Sequence, residues 1–139
     1  MASDPDVLVD TSVAVPLLVA DHDQHALVRT RLGTSTLGLA GHAMYETYSV
    51  LTRLPPPARR APDECWRLVA ANFSGSRFLD AGENEVVLER IAALGLAGGQ
   101  VYDAMIGAVA ASEALVLATR DRRALDTYRA MGAAVQFVA

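Results

Sequence analysis

Four carboxylates stand where a carboxylate is hard to leave unaccompanied: Asp10, Glu46, Asp103 and Asp121. Asp103 is the sharpest case. It is the only charge from Val101 to Ser112, a run that reads as a helix apolar nearly all round and therefore buried. The helix dipole returns only about 0.3–1 kcal/mol to an acid in its first turn, far less than burial of an unpaired carboxylate costs. A basic partner or a cation must compensate. With no lysine in the chain, that leaves arginine or a metal. Asp10 closes the apolar run Val7-Leu8-Val9 and Asp121 follows another, Leu115 to Ala118; either acid could simply cap the helix behind it. Glu46 has Ala43 and Val50 one turn away, and is either a boundary residue paired with Arg53 or a member of the same pocket. If the four converge at about 5 Å, each like-charge pair costs roughly 3 kcal/mol at an effective dielectric near 20. Such a cluster needs protons or a divalent cation. Oxygen donors alone favour Mg²⁺, with Mn²⁺ as a substitute, over zinc. His22 and His25 share a predicted helix face but lack a third partner, and with His42 they read as surface or structural residues.

The elements that must carry these acids alternate short β-branched runs with helical segments. Strands are predicted at Val7 to Val9, Thr36 to Leu39, Arg77 to Leu79, Leu115 to Ala118 and Val135 to Val138. Helices are predicted at Ser12 to Val19, His22 to Leu32, Gly41 to Leu54, from Pro62 onward, Gly82 to Leu94, Val101 to Ala114 and Asp121 to Met131. Pro55-Pro56-Pro57 stops the third helix, because proline cannot donate the next hydrogen bond. Strands separated by helices imply parallel crossovers, hence an α/β three-layer sandwich of about five parallel strands with helices on both faces. In such sheets ligands sit beyond the carboxyl ends of the strands, which puts Asp10 and Asp121 in one crevice.

Composition narrows the field. At 139 residues, 52% hydrophobic and 20% charged, the chain is expected to form one globular domain over residues 1–139. Cys65 is the single cysteine, so an intrachain disulfide and a cysteine-rich zinc site are excluded. All twelve basic residues are arginine, which removes Schiff-base chemistry, the P-loop and phospho-acceptor receivers that need a lysine. A net charge of -4 argues against nonspecific coating of nucleic acid, though not against a nuclease with an acidic metal site. Met1 to Asp6 is acidic where an export signal is basic, and no apolar run is long enough to span a bilayer, so a cytoplasmic location without a membrane anchor is expected.

Val-Asp-Thr-Ser (9–12), Tyr-Glu-Thr-Tyr-Ser-Val-Leu-Thr-Arg (45–53), Tyr-Asp-Ala-Met-Ile (102–106) and Leu-Ala-Thr-Arg-Asp (117–121) resemble, in order and spacing, the acidic motifs of PIN domains. Chain length and motif order resemble the VapC toxins of bacterial toxin–antitoxin pairs, from about Val7 to Val138. The resemblance implies a PIN-like fold and sequence-specific, Mg²⁺-dependent endoribonuclease activity. It also implies an acidic site of Asp10, Glu46, Asp103 and Asp121, a homodimer and a cognate antitoxin whose peptide covers the groove. Thr119 matches the family's hydroxyl residue beside the last acid, and Thr11 and Ser12 could support the site or cap a helix. Arg120, Arg122 and Arg123 surround Asp121 and are candidates for phosphate contact, whereas Arg59 and Arg60 lie on a loop elsewhere. Tyr45, Tyr48, Trp66 and Phe73 are expected to pack in the core; if exposed, they would form a dimer or antitoxin patch. Two other readings remain: a noncatalytic interaction module whose acids pair with arginine, and a Mg²⁺ phosphatase. The second is weakened by Ser12 standing where that chemistry uses a second aspartate, and by the missing lysine.

Overall fold

Four short aliphatic runs become strands, and every connection between them is helical. The computed structural model describes residues 4–139, so the start of the acidic N-terminal stretch lies outside the described residues. Strands β1 (Val7–Val9), β2 (Leu37–Leu39), β3 (Val116–Thr119) and β4 (Val135–Phe137) form one parallel sheet in the order β2-β1-β3-β4. Val9 lies opposite both Leu39 and Ala118, and Thr119 opposite Phe137, so the carboxyl ends of the strands finish level. Parallel pairing demands crossovers. Helices α1 (Thr11–Leu18) and α2 (His25–Leu32) join β1 to β2. From β2 to β3 run α3 (Ala43–Thr52), α4 (Pro62–Asn72), α5 (Ala81–Ala93) and α6 (Gln100–Glu113). A single 3-10 turn at Arg122–Ala124 and α7 (Leu125–Ala130) lead from β3 to β4. One helical group is α1 against α2 and α3, with α4 on α3; the other is α6 against α5 and α7. Together they flank the sheet in the expected three-layer α/β arrangement, and Leu8, Val9, Leu39, Leu117 and Ala118 are wholly enclosed at its centre.

The sheet differs from expectation at Arg77 to Leu79. That run contributes one parallel bridge, Ala40 with Arg77, rather than a fifth strand. The reason is local. The Ser76 hydroxyl, rather than a backbone carbonyl, accepts the Leu39 amide at 2.9 Å, and the Gly75 carbonyl presses on β2. A β-carbon on Gly38 would lie 2.1 Å from that oxygen, so glycine is required there. The second helix also starts later than predicted: His22 sits in the preceding turn, and the two histidines do not share a helix face. On α5, Ile91 is buried, while Val86 and Leu94 are exposed.

Helix α6 ends on Ala114 in the left-handed conformation, φ 55°, where a β-carbon is strained by about 1–2 kcal/mol. Ala114 is exposed. Ala114→Gly is therefore expected to stabilise the fold by about 1 kcal/mol. Urea unfolding should show a higher midpoint at unchanged slope; an unchanged midpoint would mean the strain is relieved elsewhere. Among the described residues, no helix is long and apolar enough to cross a membrane.

Candidate active site

Asp10 leaves β1 with its amide donating to the Ala118 carbonyl at 3.3 Å, which fixes it against the end of β3. Its carboxylate makes no capping hydrogen bond to α1, so the simple cap reading does not describe it. It turns instead to three hydroxyls. Ser12 donates to Oδ1 at 2.6 Å, while Thr119 and Tyr128 donate to Oδ2 at 2.5 and 2.7 Å. Two backbone amides lie behind these donors: Arg120 N–H to Ser12 Oγ at 2.7 Å and Asp121 N–H to Thr119 Oγ1 at 3.0 Å. Each amide polarises the hydroxyl it feeds, so the chain of bonds concentrates positive charge on Asp10. Asp10 is only 3% exposed. Burial is the largest influence on its carboxyl and raises its pKa despite the opposing hydrogen bonds from Ser12, Thr119 and Tyr128.

Glu46 projects from the first turn of α3 toward the same end of the sheet. Its Oε2 accepts from Thr11 at 3.2 Å, and its Oε1 lies 3.5 Å from His42 Nε2. The pairing with Arg53 is not formed; that guanidinium donates to Ser49. Asp103, half-buried in the first turn of α6, has a pKa raised to about 6. The causes are desolvation first, then the negative charges of Asp121, Glu46 and Asp10, against a smaller opposing contribution from Arg123. Three acids far apart in sequence therefore act electrostatically on Asp103. Among the described residues, no buried guanidinium forms an ion pair with any of the four.

Asp121 does serve as a cap: its Oδ1 accepts the Arg123 amide at 3.0 Å at the start of the 3-10 turn. The neighbouring arginines are partly engaged. Arg120 donates to the Val138 carbonyl at 2.7 Å and Arg122 lies 4.2 Å over the Phe137 ring. Arg123 is exposed, with Nε 3.5 Å from Asp121. Arg59 donates to the Leu54 carbonyl, and Arg60 lies by Glu64, both away from the acids. His25 Nδ1 bonds to the Pro16 carbonyl, a structural role as expected, whereas His42 belongs to the acidic neighbourhood through Glu46. Of the aromatics expected in the core, only Phe73 is buried; Tyr45, Tyr48 and Trp66 are exposed on α3 and α4.

Tyr128 is the residue that sequence reasoning missed. Thr127 and Tyr128 are buried polar side chains on α7, and a buried phenol needs a partner. Burial and the Asp10 carboxylate push its pKa upward, so the hydroxyl remains a donor. Gly107 makes the approach possible, because a β-carbon there would sit 3.0 Å from the Tyr128 Cα. Tyr128→Phe is expected to lower stability by about 1.5–3 kcal/mol, the usual worth of a hydrogen bond to a charged group. Thermal melts compare the two; equal melting would show that Thr119 alone satisfies Oδ2.

The donors are all oxygens, and among the described residues no ion pair joins Asp10 or Asp103 to a base, Arg123 acting on Asp103 only weakly, which suits a hard divalent cation. Among the described residues, no three acidic, histidine or cysteine side chains are already drawn to metal-holding spacing. Side-chain rotation of half-exposed Glu46, Asp103 and Asp121 would be needed to close the set.

The PIN-domain family profile matches residues 7–130. The chain is 44% identical over 128 residues to Ribonuclease VapC27 of Mycobacterium tuberculosis, covering 92% of this chain and 93% of that protein. It is 37% identical over 131 residues to Ribonuclease VapC40 of the same species, covering 93% and 96%. The crystal structure of PAE2754 from Pyrobaculum aerophilum superposes with a TM-score of 0.54 at 28% identity, covering 97% of this chain and 92% of that one. With its sheet order, its acids beyond the strand ends and its relatives in agreement, the chain belongs to the PIN-domain family, on its VapC-type branch.

Proposed function

We propose that this protein is a Mg²⁺-dependent endoribonuclease toxin that hydrolyses phosphodiester bonds in specific RNA and is restrained by a cognate antitoxin. The observation that carries the reading is the pairing of a buried, hydroxyl-held Asp10 with an Asp103 made basic by burial and by three other acids. The ribonuclease names of the VapC relatives support the substrate class.

In this reading Asp10 and Asp103 hold the ion, and Glu46 or Asp121 completes its surroundings. A bound Mg²⁺, for which Mn²⁺ could substitute, supplies Lewis-acid polarisation of a phosphoryl oxygen and a lowered pKa for attacking water. Ser12, Thr119 and Tyr128 hold Asp10 in one orientation, so no rotamer need be frozen during the reaction. Whichever of Glu46 and Asp121 does not complete the ion's surroundings is placed to accept a proton as water attacks. Arg122 and Arg123, whose guanidinium groups are not bound to buried acids, are assigned to phosphate contact; Arg120 is the weaker candidate because it is tied to Val138.

The partner reading rests on α3 and α4. Met44, Tyr45, Tyr48, Trp66 and Val69 line a groove of about 320 Å³, an apolar surface suited to an antitoxin helix. A homodimer and a cytoplasmic site of action complete the proposal.

Wild type and Asp10→Asn, expressed in cells and followed by mapping of new RNA 5′ ends, test it. Cleavage at defined positions by wild type alone, leaving 5′-phosphates, is the expected result. Indistinguishable end maps would favour a noncatalytic module, and 2′,3′-cyclic phosphate products would overturn attack by water.

A further inference from the structure

Two of the acids are preceded in sequence by exposed tyrosines, Tyr45 before Glu46 and Tyr102 before Asp103. Their rings are not scattered. His42 stacks on Tyr102 with centroids 4.8 Å apart and planes inclined 26°, and stands 6.3 Å from the Tyr45 ring. The same imidazole reaches Glu46 at 3.5 Å, so the aromatic group is joined directly to the acidic neighbourhood. Beside it is a cavity of about 140 Å³ lined by His42, Tyr45, Phe78, Met105 and Asn84 among others. Phe78 is 48%, Tyr102 49% and Tyr45 67% exposed. Large rings gathered at the surface forgo the stabilisation that burial would give them, and contiguous exposed apolar surface marks an interaction site.

We infer that His42, Tyr102, Tyr45 and Phe78 form a stacking platform for a nucleobase next to the scissile phosphate. The inference rests on the ribonuclease reading above and adds how the substrate is gripped. Single-stranded RNA is held by stacking of splayed bases on aromatic and imidazole faces together with positive contacts to its backbone. Here the rings would supply the first and Arg122 and Arg123 the second. The platform also has a polar edge. The Asn84 amide nitrogen is spent on the Leu79 and Asp80 carbonyls, so the atom it retains for a ligand is its oxygen, an acceptor. A base presenting an N–H edge therefore fits best.

The test uses the full-length protein and a pool of short random-sequence RNA with Mn²⁺. Sequencing of cleaved ends from wild type should reveal a base preference within two nucleotides of the cut. On the best-cut oligonucleotide, Tyr102→Ala should raise KM about 10- to 100-fold, the range of one lost base stack, with kcat changed much less. Tyr102→Trp should restore KM. An abasic nucleotide at the preferred position should weaken wild type by a similar factor and Tyr102→Ala hardly at all, because each change removes the same contact. Tyr102 is half-exposed on a helix, where alanine is well tolerated. Additive effects, a kcat-only loss, or a change of oligomeric state without a change in KM would overturn the platform while leaving the nuclease intact. A wild type that cuts no member of the pool would overturn the ribonuclease reading itself, and the platform with it.

Discussion

Asp103→Asn is expected to melt at a higher temperature than wild type in metal-free buffer, while cutting RNA about a thousandfold more slowly or worse. A thousandfold loss corresponds to about 4 kcal/mol, the several kcal/mol that a metal ligand contributes to transition-state charge stabilisation. The gain in stability follows from the carboxyl's surroundings. Burial and the charges of Asp121, Glu46 and Asp10 lift its pKa from 3.8 to about 6. Between those values the folded chain keeps a proton that the unfolded chain has released. Stability therefore falls as pH rises from 3.8 toward 6 and stays lowered above it. A shift of that size would be worth up to ~3 kcal/mol in a fully buried site. Here the side chain is half open to solvent, and screening reduces the effect to about 1 kcal/mol. Urea unfolding in a chelator across this pH interval should show wild type losing about that much more stability than Asp103→Asn, in which Asp10 still titrates. Parallel curves would mean that neither burial nor the neighbouring acids disfavour the Asp103 charge. Added Mg²⁺ should close the gap by stabilising wild type alone.

Asp10→Ala should abolish cleavage equally and yet move stability the other way. Removing the carboxylate leaves the Ser12, Thr119 and Tyr128 hydroxyls without their common acceptor, and the last two lie in a pocket closed to water. Each buried polar group left unsatisfied costs about 1–3 kcal/mol. Relief of the desolvated charge offsets part of this, so a net loss of about 2–4 kcal/mol is expected. Thermal melts beside the cleavage assay separate the two acids. A variant as stable as wild type would show that the hydroxyls find other partners and that Asp10 is held by something else.

Part of the site is legible in the sequence. Asp103 was legible because a lone charge in an otherwise apolar helix has no local explanation, and Asp10 and Asp121 because strand ends in a parallel sheet point one way. Asp10 and Asp121 both stand at N-cap positions, but only Asp121 makes the side-chain capping bond; the Asp10 carboxylate is taken up by hydroxyls, two of them more than 100 residues away. Tyr128 stayed hidden for the same reason: its partner depends on how closely α7 approaches, and Gly107 on another helix sets that distance. The fifth strand does not form, and nothing in Arg77 to Leu79 reveals that the Ser76 hydroxyl takes the ladder bond of Leu39. Tyr45, Tyr48 and Trp66 were assigned to the core because amphipathic helices show which face is apolar but not whether another element covers it.

The order of the sheet bears on when such an enzyme can begin to act. β1 is laid down first yet sits in the interior of the sheet, and one of its two edges remains bare until β3 is made. Thr119, Asp121 and Tyr128, which orient or surround Asp10, belong to the final quarter of the chain. A nascent polypeptide still threading through the ribosome has no assembled cutting centre, however much of its N-terminal half has condensed. Under the proposed function, translation of this protein beside the cell's own RNA is harmless until β3 and α7 have emerged, which would give the proposed antitoxin time to be present.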